Sequence, residues 1–395
     1  MPLQSDGRRP QRFQRDRNLS LVMNALREGG PASRSELAAA LNLDRSTLTH
    51  LSNALLAAGL IVEADERSAG KRGGRRPRPL ALNPEHYAVV GVDIRARDAE
   101  WVLLRLDGSV RDGGVVARGD ADALHWLETV ATSTIDALRP ARNGSLLMLG
   151  VGVSVPGVVD NGAGMLLRSV VLGLESVRIG EYWSEIGAPV LVDNDANCCA
   201  WNLAGDPVQP QNIVLSQIKL HQSADGAFQP SGAGIGLAFI LNGSIYYGTR
   251  GAAGELRGVR WTAASPDQLG LRLDRIQADR GDAEALRALA AEILRNLSVV
   301  ASVFDPDAVV LTGDGASLSP AIADLLTGEL AGSPIAALAE AGSLTIAPPT
   351  AYPAAQGAAR MMLAHLFEFS AGANGNLCFP GGWQSIVDRF PGYSS

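Results

Sequence analysis

The chain has 395 residues, more than a single hydrophobic core usually supports, so we expect two or three domains. Hydrophobic residues make up 46% and charged residues 19%, proportions typical of an ordinary soluble globular protein. No apolar run reaches the roughly 18 residues of a membrane-spanning helix, and no apolar segment directly follows the basic N-terminus, as it would in a secretory signal. The three cysteines, Cys198, Cys199 and Cys378, have neither zinc-ligand spacing nor a disulfide pattern, so we expect a reducing cytoplasm and no metal.

Charge is divided unevenly along the chain. Residues 1–82 contain 14 Lys and Arg against 8 Asp and Glu, a net charge of +6. The remaining residues contain 20 against 33, a net charge of −13. A basic head on an acidic body predicts that the head binds a polyanion and that the body does not.

Residues 18–83 are predicted to form a small helical unit. NLSLVMNALREGG has apolar residues at helical spacing, and Gly29-Gly30 ends this helix. Ser33 and Glu36 have the pattern of a capping box, in which each side chain accepts a hydrogen bond from the other residue's backbone N–H. Asp44 is placed to cap the helix that follows. This spacing is typical of a helix–turn–helix.

The last helix of this unit is predicted to have one apolar and one polar face. Its apolar positions are Leu48, Leu51 and Leu55. Short polar side chains and an arginine near the start of such a helix suit contacts with a major groove. The candidate DNA contacts on this helix are Arg45, Ser46, Thr47, Thr49 and His50.

Two predicted strands, GLIVEADE and LALN, enclose the basic loop SAGKRGGRRPRP. Small residues let the backbone approach DNA, and arginines fit a narrow minor groove. The candidate contacts in this loop are Lys71, Arg72, Arg75 and Arg76. Taken separately, the parts are equally consistent with a disordered basic linker and an ordinary helical hairpin. Their order predicts a winged helix–turn–helix that binds double-stranded DNA.

Strands and helices alternate through the acidic body. Two segments share a plan, VVGVDI–turn–WVLLRLDG and GIGLAFI–turn–GSIYYG, which predicts a duplicated α/β unit with a cleft between its halves. A long helix is predicted from Asp282 to about Phe304. The predicted strands are residues 87–94, 146–156, 188–195, 234–248 and 308–315.

Five segments of the body, in this order, resemble the ROK family of repressors, open reading frames and sugar kinases. They are GVSVPGVVD (152–160), VDNDAN (192–197), GAGIG (232–236), GAAGE (251–255) and FDP (304–306). The Gly-Arg-Arg-Pro sequence of the basic loop is similar to the wing of the family's repressor branch. The resemblance covers roughly residues 18–365.

The resemblance implies an α/β protein in which a winged helix–turn–helix precedes a two-lobed, actin-like (ribonuclease H-like) sugar-kinase fold. It also implies a sugar or sugar derivative in the cleft and a homodimer or homotetramer. The expected parts are a basic flexible N-terminus (1–17), the DNA-binding domain (18–83), a first lobe (84–195), a second lobe with the effector cleft and dimerisation surface (196–368), and a C-terminal tail (369–395). From its residues, the tail either docks on another domain through a short amphipathic helix or is a loosely held terminus.

The matching positions imply contacts with the effector. Asn194 and Asp195 fall where family members hold sugar hydroxyls, and Asp195 also falls on the kinase catalytic base. From the residues alone, the favoured interpretation is that Asp195 caps the helix that follows. Glu255 falls on a further sugar contact, although a glutamate there is also typical of a surface loop. Pro156 and Gly157 either shape the loop over the sugar or turn the chain.

The first hairpin departs from the kinase pattern. Family kinases have an Asp-x-Gly-Gly-Thr turn, whose glycines let backbone N–H groups close on the ATP phosphates. This chain has DIRARD, Asp93 to Asp98, with bulky charged side chains and no glycine. Gly232, Gly234 and Gly236 mark the other phosphate position, where tight strand packing is the favoured interpretation. We therefore expect no nucleotide cofactor and no catalytic residue.

The segment after Glu255 departs from the family as well. Family members commonly continue with Gly-His and a cysteine-rich zinc loop, whereas this chain reads GELRGVRW (254–261). Because the histidine and the cysteines are missing, a structural zinc is not expected, and two usual sugar contacts are lost.

The main hypothesis is a cytoplasmic transcriptional regulator, a repressor of carbohydrate-metabolism genes, that reads a palindromic operator as a dimer and senses a sugar-like effector. One alternative is a sugar kinase that retains a DNA-binding head, with Asp195 as the base. The other is a ligand-independent DNA-binding protein whose body is a dimerisation scaffold.

Overall fold

The computed structural model describes residues 8–64, 78–119, 121–143, 146–204, 209–220, 233–265, 267–348, 350–367 and 382–389. Its N-terminal part contains three helices followed by a two-stranded antiparallel sheet, in the order predicted for a winged helix–turn–helix. The elements are α1 (Arg8–Gly29), α2 (Arg34–Ala40), α3 (Arg45–Ala57), β1 (Ile61–Glu63) and β2 (Leu80–Leu82).

The first helix is longer than the sequence predicted. It begins at Arg8, so residues 8–17, which were expected to be flexible, are helical. A contact distant in sequence supports this extension, because Oδ1 of Asp16 accepts a hydrogen bond from the backbone N–H of Gln384 at 2.9 Å.

The helix caps agree with the sequence at one position and differ at another. Ser33 Oγ accepts from the backbone N–H of Glu36 at 3.3 Å, and the Glu36 carboxylate accepts from the backbone N–H of Ser33 at 2.8 Å. The capping box is therefore confirmed. Asp44 stands at the N-cap of α3 but makes no side-chain capping bond; it is exposed, where water competes for the N–H groups of the first turn.

The body contains two five-stranded sheets with the same plan. The first contains β3 (Tyr87–Ile94), β4 (Asp98–Arg105), β5 (Val110–Ala117), β6 (Leu147–Val155) and β10 (Val190–Asn194). The second contains β11 (Ile213–Lys219), β12 (Gly234–Leu241), β13 (Ser244–Ile245), β14 (Ala308–Gly313) and β15 (Leu344–Ile346). The strand orders are β10-β6-β3-β4-β5 and β15-β14-β11-β12-β13. In the first sheet the pairings on one side of β3, with β4 and then β5, are antiparallel, and those on its other side, with β6 and then β10, are parallel. In the second sheet β11 has the same position: β12 and β13 follow in antiparallel pairings on one side, and β14 and β15 in parallel pairings on the other. The predicted duplication is present.

The hairpin that opens the second half lies one strand earlier than predicted. Strand β12 does pair with β13, but its longer pairing is with β11, where Lys219 stands opposite Gly234. The counterpart of the β3–β4 hairpin is therefore β11–β12. The long connection between these two strands, residues 220–233, obscured this hairpin in the sequence.

Smaller elements complete the body. β7 (Val158–Asp160), β8 (Met165–Ser169) and β9 (Leu174–Arg178) form a three-stranded antiparallel sheet. The remaining helices are α4 (Ala123–Asn143), α5 (Asp195–Ala200), α6 (Leu273–Arg280), α7 (Asp282–Phe304), α8 (Ser319–Thr327), α9 (Pro334–Glu340), α10 (Pro353–Phe367) and α11 (Gly382–Arg389), with 3-10 helices at Ile179–Ile186 and Asp314–Leu318. Among the helices of the described ranges, none has both the length and the apolar content that crossing a bilayer requires.

Helix α10 returns from the second half of the chain to the first sheet. A Cβ on Gly91 of β3 would lie 1.8 Å from the carbonyl oxygen of Ala355, and a Cβ on Gly152 of β6 would lie 1.9 Å from that of Ala358. These glycines let the helix backbone rest directly on the sheet. The expected second lobe, residues 196–368, thus ends in a helix that packs on the first sheet.

The end of α10 also packs against the N-terminal helices. The carbonyl oxygen of Phe367 accepts a hydrogen bond from Nδ2 of Asn24 at 2.7 Å, and the Arg27 guanidinium lies 4.6 Å from the Phe367 ring centroid. The Trp383 ring of α11 packs edge-on against Phe367, with centroids 5.1 Å apart. The hydrophobic cores of the winged helix and of the first sheet are therefore continuous through α10 and α11.

Candidate functional site

Helix α3 presents the polar face that the sequence predicted for DNA contacts. Leu48, Leu51 and Leu55 are buried, which fixes the opposite face towards solvent. The Thr49 hydroxyl donates to the Arg45 carbonyl oxygen at 2.7 Å, so its oxygen remains able to accept. Of the candidate contacts, four are exposed and Thr47 is half-buried; the four exposed residues are Arg45, Ser46, Thr49 and His50.

Strands β1 and β2 form the base of the predicted wing. Arg34 of α2 and Arg78 both pair with Glu63 of β1, at 3.3 Å and 3.6 Å. These ion pairs tie the base of the wing to the helix–turn–helix. The predicted wing contacts lie in residues 65–77, outside the described residues; they are Lys71, Arg72, Arg75 and Arg76.

Asn194 stands at the junction of β10 and α5, where it caps the helix. Its Oδ1 accepts from the backbone N–H of Ala196 at 2.9 Å, and its Nδ2 donates to the carbonyl oxygen of Gly157 at 2.8 Å. The capping role that the sequence allowed for Asp195 therefore belongs to Asn194. Through these two bonds Asn194 links the start of α5 to the Gly157 turn.

Asp195 is the first residue of α5, and it is paired with Lys219. Nζ of Lys219 lies 2.5 Å from Oδ2 of Asp195, and Oδ1 of Asp195 accepts from the backbone N–H of Ala196 at 3.0 Å. Burial alone would lower the pKa of Lys219, but the carboxylates of Asp195 and Asp93 outweigh burial, and the pKa is raised. The pair joins the end of β11 to the end of β10, so it bridges the two sheets.

The turn at Pro156 and Gly157 follows β6 and lies beside Asn194. Gly157 has φ +122°, and a Cβ there would lie 2.2 Å from the carbonyl oxygen of Arg168. Only glycine combines this backbone conformation with so close an approach. The turn therefore brings strand β8 next to Asn194.

Glu255 is an exposed residue in the connection that follows β13. Partial burial and the nearby Asp195 carboxylate raise the pKa of Glu255, while Arg168 and Arg257 oppose this shift. Within the described residues, the Glu255 carboxylate makes no hydrogen bond or ion pair. The residue before it, Gly254, has φ +93°, and a Cβ there would lie 1.9 Å from the carbonyl oxygen of Leu237.

Two buried carboxylates lie beneath these residues. Oδ1 of Asp93 accepts from the Ser154 hydroxyl at 2.5 Å, and burial raises the pKa of Asp93. Asp193 accepts from Asn197 Nδ2 at 2.9 Å and from the Tyr247 hydroxyl at 3.1 Å, and burial raises its pKa too. These hydrogen bonds satisfy carboxylates that would otherwise be costly to bury.

The turn between β3 and β4 is filled by its own side chains. Nε of Arg95 lies 2.6 Å from Oδ1 of Asp98, and Nη1 of Arg95 lies 2.6 Å from Oε1 of Glu100. The backbone N–H of Arg95 donates to the Asp98 carbonyl at 2.9 Å. This N–H is therefore engaged within the hairpin, and the guanidinium is already neutralised by two carboxylates. The absence of nucleotide binding at this turn stays a prediction from the sequence.

Helix α7 holds the loop that follows Glu255. Oδ1 of Asn296 accepts from the backbone N–H of Val259 at 3.0 Å, and the buried Glu292 carboxylate lies 3.4 Å from Nε of Arg260. These contacts order the segment in which the family commonly has its zinc loop. Among the described residues, no group of three or more metal-ligating side chains is assembled.

The structure brings most of the predicted effector residues together and adds others. Asn194, Asp195 and Gly157 share one hydrogen-bonded junction, and the Asp195 carboxylate lies near enough to Glu255 to contribute to the raised pKa of Glu255. Sequence reasoning missed Lys219 and Arg168. Lys219 ends the apolar strand IVLSQIK, and a charge directly after a buried strand was the available signal.

Comparison with known proteins agrees with this architecture. Residues 89–258 match the model of the ROK family. The putative xylose repressor of Caldicellulosiruptor sp. strain Rt8B.4 is 24% identical over 60% of this chain and 57% of its own length. The xylose repressor of Lactiplantibacillus pentosus is 24% identical over 73% of this chain and 71% of its own length. The match to the first of these relatives thus spans just over half of that protein.

A solved structure shows that the resemblance extends to the fold of nearly the whole chain. A ROK family transcriptional regulator, a homologue of the E. coli MLC protein, superposes with a TM-score of 0.68 over 95% of this chain and all of its own. At 17% identity this match concerns the fold alone. The chain is therefore similar to the ROK family over residues 89–258, and its fold is similar to that of this ROK family regulator over nearly its whole length.

Proposed function

We propose that this protein is a DNA-binding transcriptional repressor of carbohydrate-metabolism genes, whose sugar-kinase-like body senses a sugar-like effector. The observation that carries the proposal is the combination of an exposed polar recognition helix with a ROK body whose first phosphate turn is filled by Arg95 and its carboxylate partners. The names of the two xylose repressor relatives support it. The proposal places the protein in the cytoplasm, acting on a palindromic operator as a homodimer or homotetramer.

The DNA-binding domain in this proposal is residues 18–83. Helix α3 enters the major groove, and its exposed Arg45 and His50 contact phosphates and base edges. The basic loop between β1 and β2 follows the adjacent minor groove. Arg34 of α2 pairs with Glu63 of β1. In this proposal the major-groove contact and the minor-groove contact therefore move as one unit.

The effector cleft lies between a first lobe, residues 84–195, and a second lobe, residues 196–368. Asp195 and Lys219 come from the two sides of this cleft, Pro156 and Gly157 shape one wall through Asn194, and Glu255 offers unengaged carboxylate oxygens. An effector regulates DNA binding only through its different affinities for two arrangements of the lobes.

Helix α10 provides the physical connection between cleft and DNA-binding domain. A Cβ on Gly357 would lie 1.5 Å from the carbonyl oxygen of Cys198, so α10 rests directly on α5, the helix that begins with Asp195. At its other end, Phe367 packs between α1 and α11. A shift of α5 on binding is thereby transmitted to the helices that carry α3.

The proposal assigns no enzymatic activity. The β3–β4 turn has no glycine, and the carboxylate at the position of the kinase base, Asp195, is neutralised by Lys219.

The test is DNA binding by the full-length chain. Duplexes are selected from a random library, and fluorescence anisotropy then gives the affinity as a function of salt concentration. The proposal predicts a steep loss of affinity with salt, because phosphate contacts release counterions. Arg45→Ala should weaken binding by about 1–3 kcal/mol if Arg45 reads a base, or lower the salt slope by about one if it contacts a phosphate.

Two further measurements make this test decisive. Arg139→Ala removes an exposed arginine of α4 that pairs with Asp136, and it should leave DNA affinity unchanged. If Arg45→Ala behaves like this control, and Arg75→Ala with Arg76→Ala does so too, the DNA-binding assignment is wrong. Sugar-dependent ATP turnover that Asp195→Asn abolishes would establish the kinase instead.

A further inference from the structure

The C-terminal end of the recognition helix α3 is held by side chains that lie outside the helix. The last carbonyl groups of a helix have no partner within it. Here the Tyr87 hydroxyl donates to the carbonyl oxygen of Ala58, the C-cap residue of α3, at 2.5 Å. Nδ2 of Asn83 donates to the carbonyl oxygen of the next residue, Gly59, at 2.8 Å.

Both of these side chains are buried where the first sheet begins. Tyr87 is the first residue of β3, and Tyr87 and Asn83 are 0% and 5% exposed. The backbone N–H of Asn83 donates to the carbonyl oxygen of Leu60 at 2.9 Å, and Oδ1 of Asn83 accepts from the backbone N–H of Glu85 at 3.1 Å. The connection from the DNA-binding domain to the first sheet is therefore held by hydrogen bonds at both of its ends.

A second attachment holds a different helix of the same domain. Oδ1 of Asp16 in α1 accepts from the backbone N–H of Gln384 in α11, and Asn24 of α1 donates to the carbonyl oxygen of Phe367 at the end of α10. A single attachment would leave the domain free to rotate about it, whereas attachments at both α1 and α3 oppose rotation. The orientation of α3 relative to the first sheet is thereby defined.

A defined orientation matters to a protein that reads two half-sites at once. In a dimeric helix–turn–helix protein, the separation of the two recognition helices must match the spacing of the half-sites on the DNA. Tyr87 is well placed to fix α3, because its strand lies inside the first sheet, with β4 paired on one side and β6 on the other.

We propose that Tyr87 and Asn83 are positioning residues of the recognition helix, which set the half-site spacing that the protein accepts. This inference rests on the proposed function, because it requires a dimer that binds a palindromic operator. The two residues act through the end of α3 and not on DNA: Ala58 lies about 12 Å further along the helix than the candidate contact His50.

The experiment measures DNA affinity of the full-length chain by fluorescence anisotropy with two kinds of duplex. One duplex contains a single selected half-site. The others contain two half-sites, at the selected spacing or with two base pairs inserted between them, which rotates one half-site by about a fifth of a helical turn. The unsubstituted protein should lose affinity by about ten-fold or more on this insertion, because the DNA must be deformed to meet recognition helices that are fixed.

Two variants separate positioning from contact with DNA. Tyr87→Phe removes only the hydroxyl, and Asn83→Ala removes the amide that donates to Gly59. Each should leave the single half-site affinity and its salt dependence unchanged, because no phosphate or base contact is lost. Each should reduce the loss on insertion to about three-fold or less, because α3 can then adjust to the altered spacing.

Tyr247→Phe is the matched control, since it removes another tyrosine hydroxyl that donates within the protein, to Asp193. It should lower thermal stability, as Tyr87→Phe does, and yet keep the full loss of affinity on insertion. A general loss of stability would affect both tyrosine variants alike, whereas a positioning role affects the spacing dependence of Tyr87→Phe alone.

Three results would overturn the inference: equal affinity of the unsubstituted chain for both spacings, a full loss on insertion in both variants, or binding of the single half-site that is weakened as much as binding of the pair. Asn83→Ala keeps the test informative if Tyr87→Phe impairs folding. The proposed function fails in a different way. No salt-dependent binding to any duplex refutes DNA binding and this inference with it, whereas intact DNA binding with unchanged spacing dependence in the variants refutes only the positioning role.

Discussion

Replacing Gly357 by alanine tests whether α10 is held as closely against α5 as the structure shows. The added Cβ would lie 1.5 Å from the carbonyl oxygen of Cys198 and 2.4 Å from its carbonyl carbon. Carbon and carbonyl oxygen normally approach to about 3.3 Å at the closest. The two helices would therefore have to separate by roughly 2 Å, since both atoms belong to backbone and cannot rotate away.

Two opposing effects determine the sign. Alanine in a helix is favoured over glycine by about 1 kcal/mol. Overpacking a well-filled interior costs about 1–3 kcal/mol, and occasionally more. Helix α10 cannot move away from α5 freely, because its other side already rests on the first sheet. There, a Cβ on Gly91 of β3 or on Gly152 of β6 would lie 1.8 Å or 1.9 Å from a carbonyl oxygen of α10. We therefore expect a net loss of about 2 kcal/mol or more.

The assay is unfolding in urea, with a matched glycine as control. Gly29 is also helical, at the end of α1, and a Cβ there would meet nothing within 4 Å. Gly29→Ala should therefore be neutral or raise the urea midpoint, while Gly357→Ala should lower it clearly. If Gly357→Ala is as stable as the unsubstituted protein, the close packing of α10 on α5, and with it the connection from the cleft to Phe367, is wrong.

Further substitutions test local features. Ser33→Ala should destabilise the N-terminal unit by about 1 kcal/mol through loss of the cap. The backbone N–H of Ser33, which alanine retains, is the main cause that lowers the pKa of Glu36. The contribution of the ionised carboxylate is therefore present above the ordinary pKa of 4.5 and is lost as the pH falls through the lowered value. Glu36→Gln removes only this charge, so melting curves from pH 7 to pH 3 should show Glu36→Gln and the unsubstituted protein converging, whereas the deficit of Ser33→Ala should persist. Tyr247→Phe removes the hydroxyl that donates to buried Asp193 and should cost about 1–3 kcal/mol in thermal unfolding. Tyr246→Phe, at a tyrosine that is 47% exposed, should have little effect, and equal melting temperatures for these two variants would contradict the role of the Asp193 network.

The sequence predicted elements whose signals are local. The apolar run of β3 and the helical spacing of α7 gave the observed bounds, Tyr87–Ile94 and Asp282–Phe304. The capping box was predictable because both of its hydrogen bonds join residues three positions apart. The pairing of β11 with β12 was not, because a long connection separates the two strands.

Features that depend on contacts distant in sequence could not be predicted from periodicity. The return of α10 to the first sheet depends on glycines in β3 and β6, which in sequence look like ordinary strand glycines. The pairing of Asp195 with Lys219 joins the first residue of α5, directly after β10, to the end of β11 in the other sheet. The partners that Asn194 and Asp195 have in the structure, Gly157 and Lys219, are distant in sequence, so the motif alone did not reveal them.

The most direct test of the central claim is the affinity of the full-length chain for its selected DNA duplex, measured by fluorescence anisotropy at one salt concentration with and without the tightest ligand found in a panel of sugars and sugar derivatives. An effector-controlled repressor predicts a change in affinity of about 5-fold or more, reduced in Gly357→Ala because that substitution disturbs α10. Equal affinities at saturating ligand would contradict the account, and would make the sugar-kinase-like body a scaffold without a regulatory part.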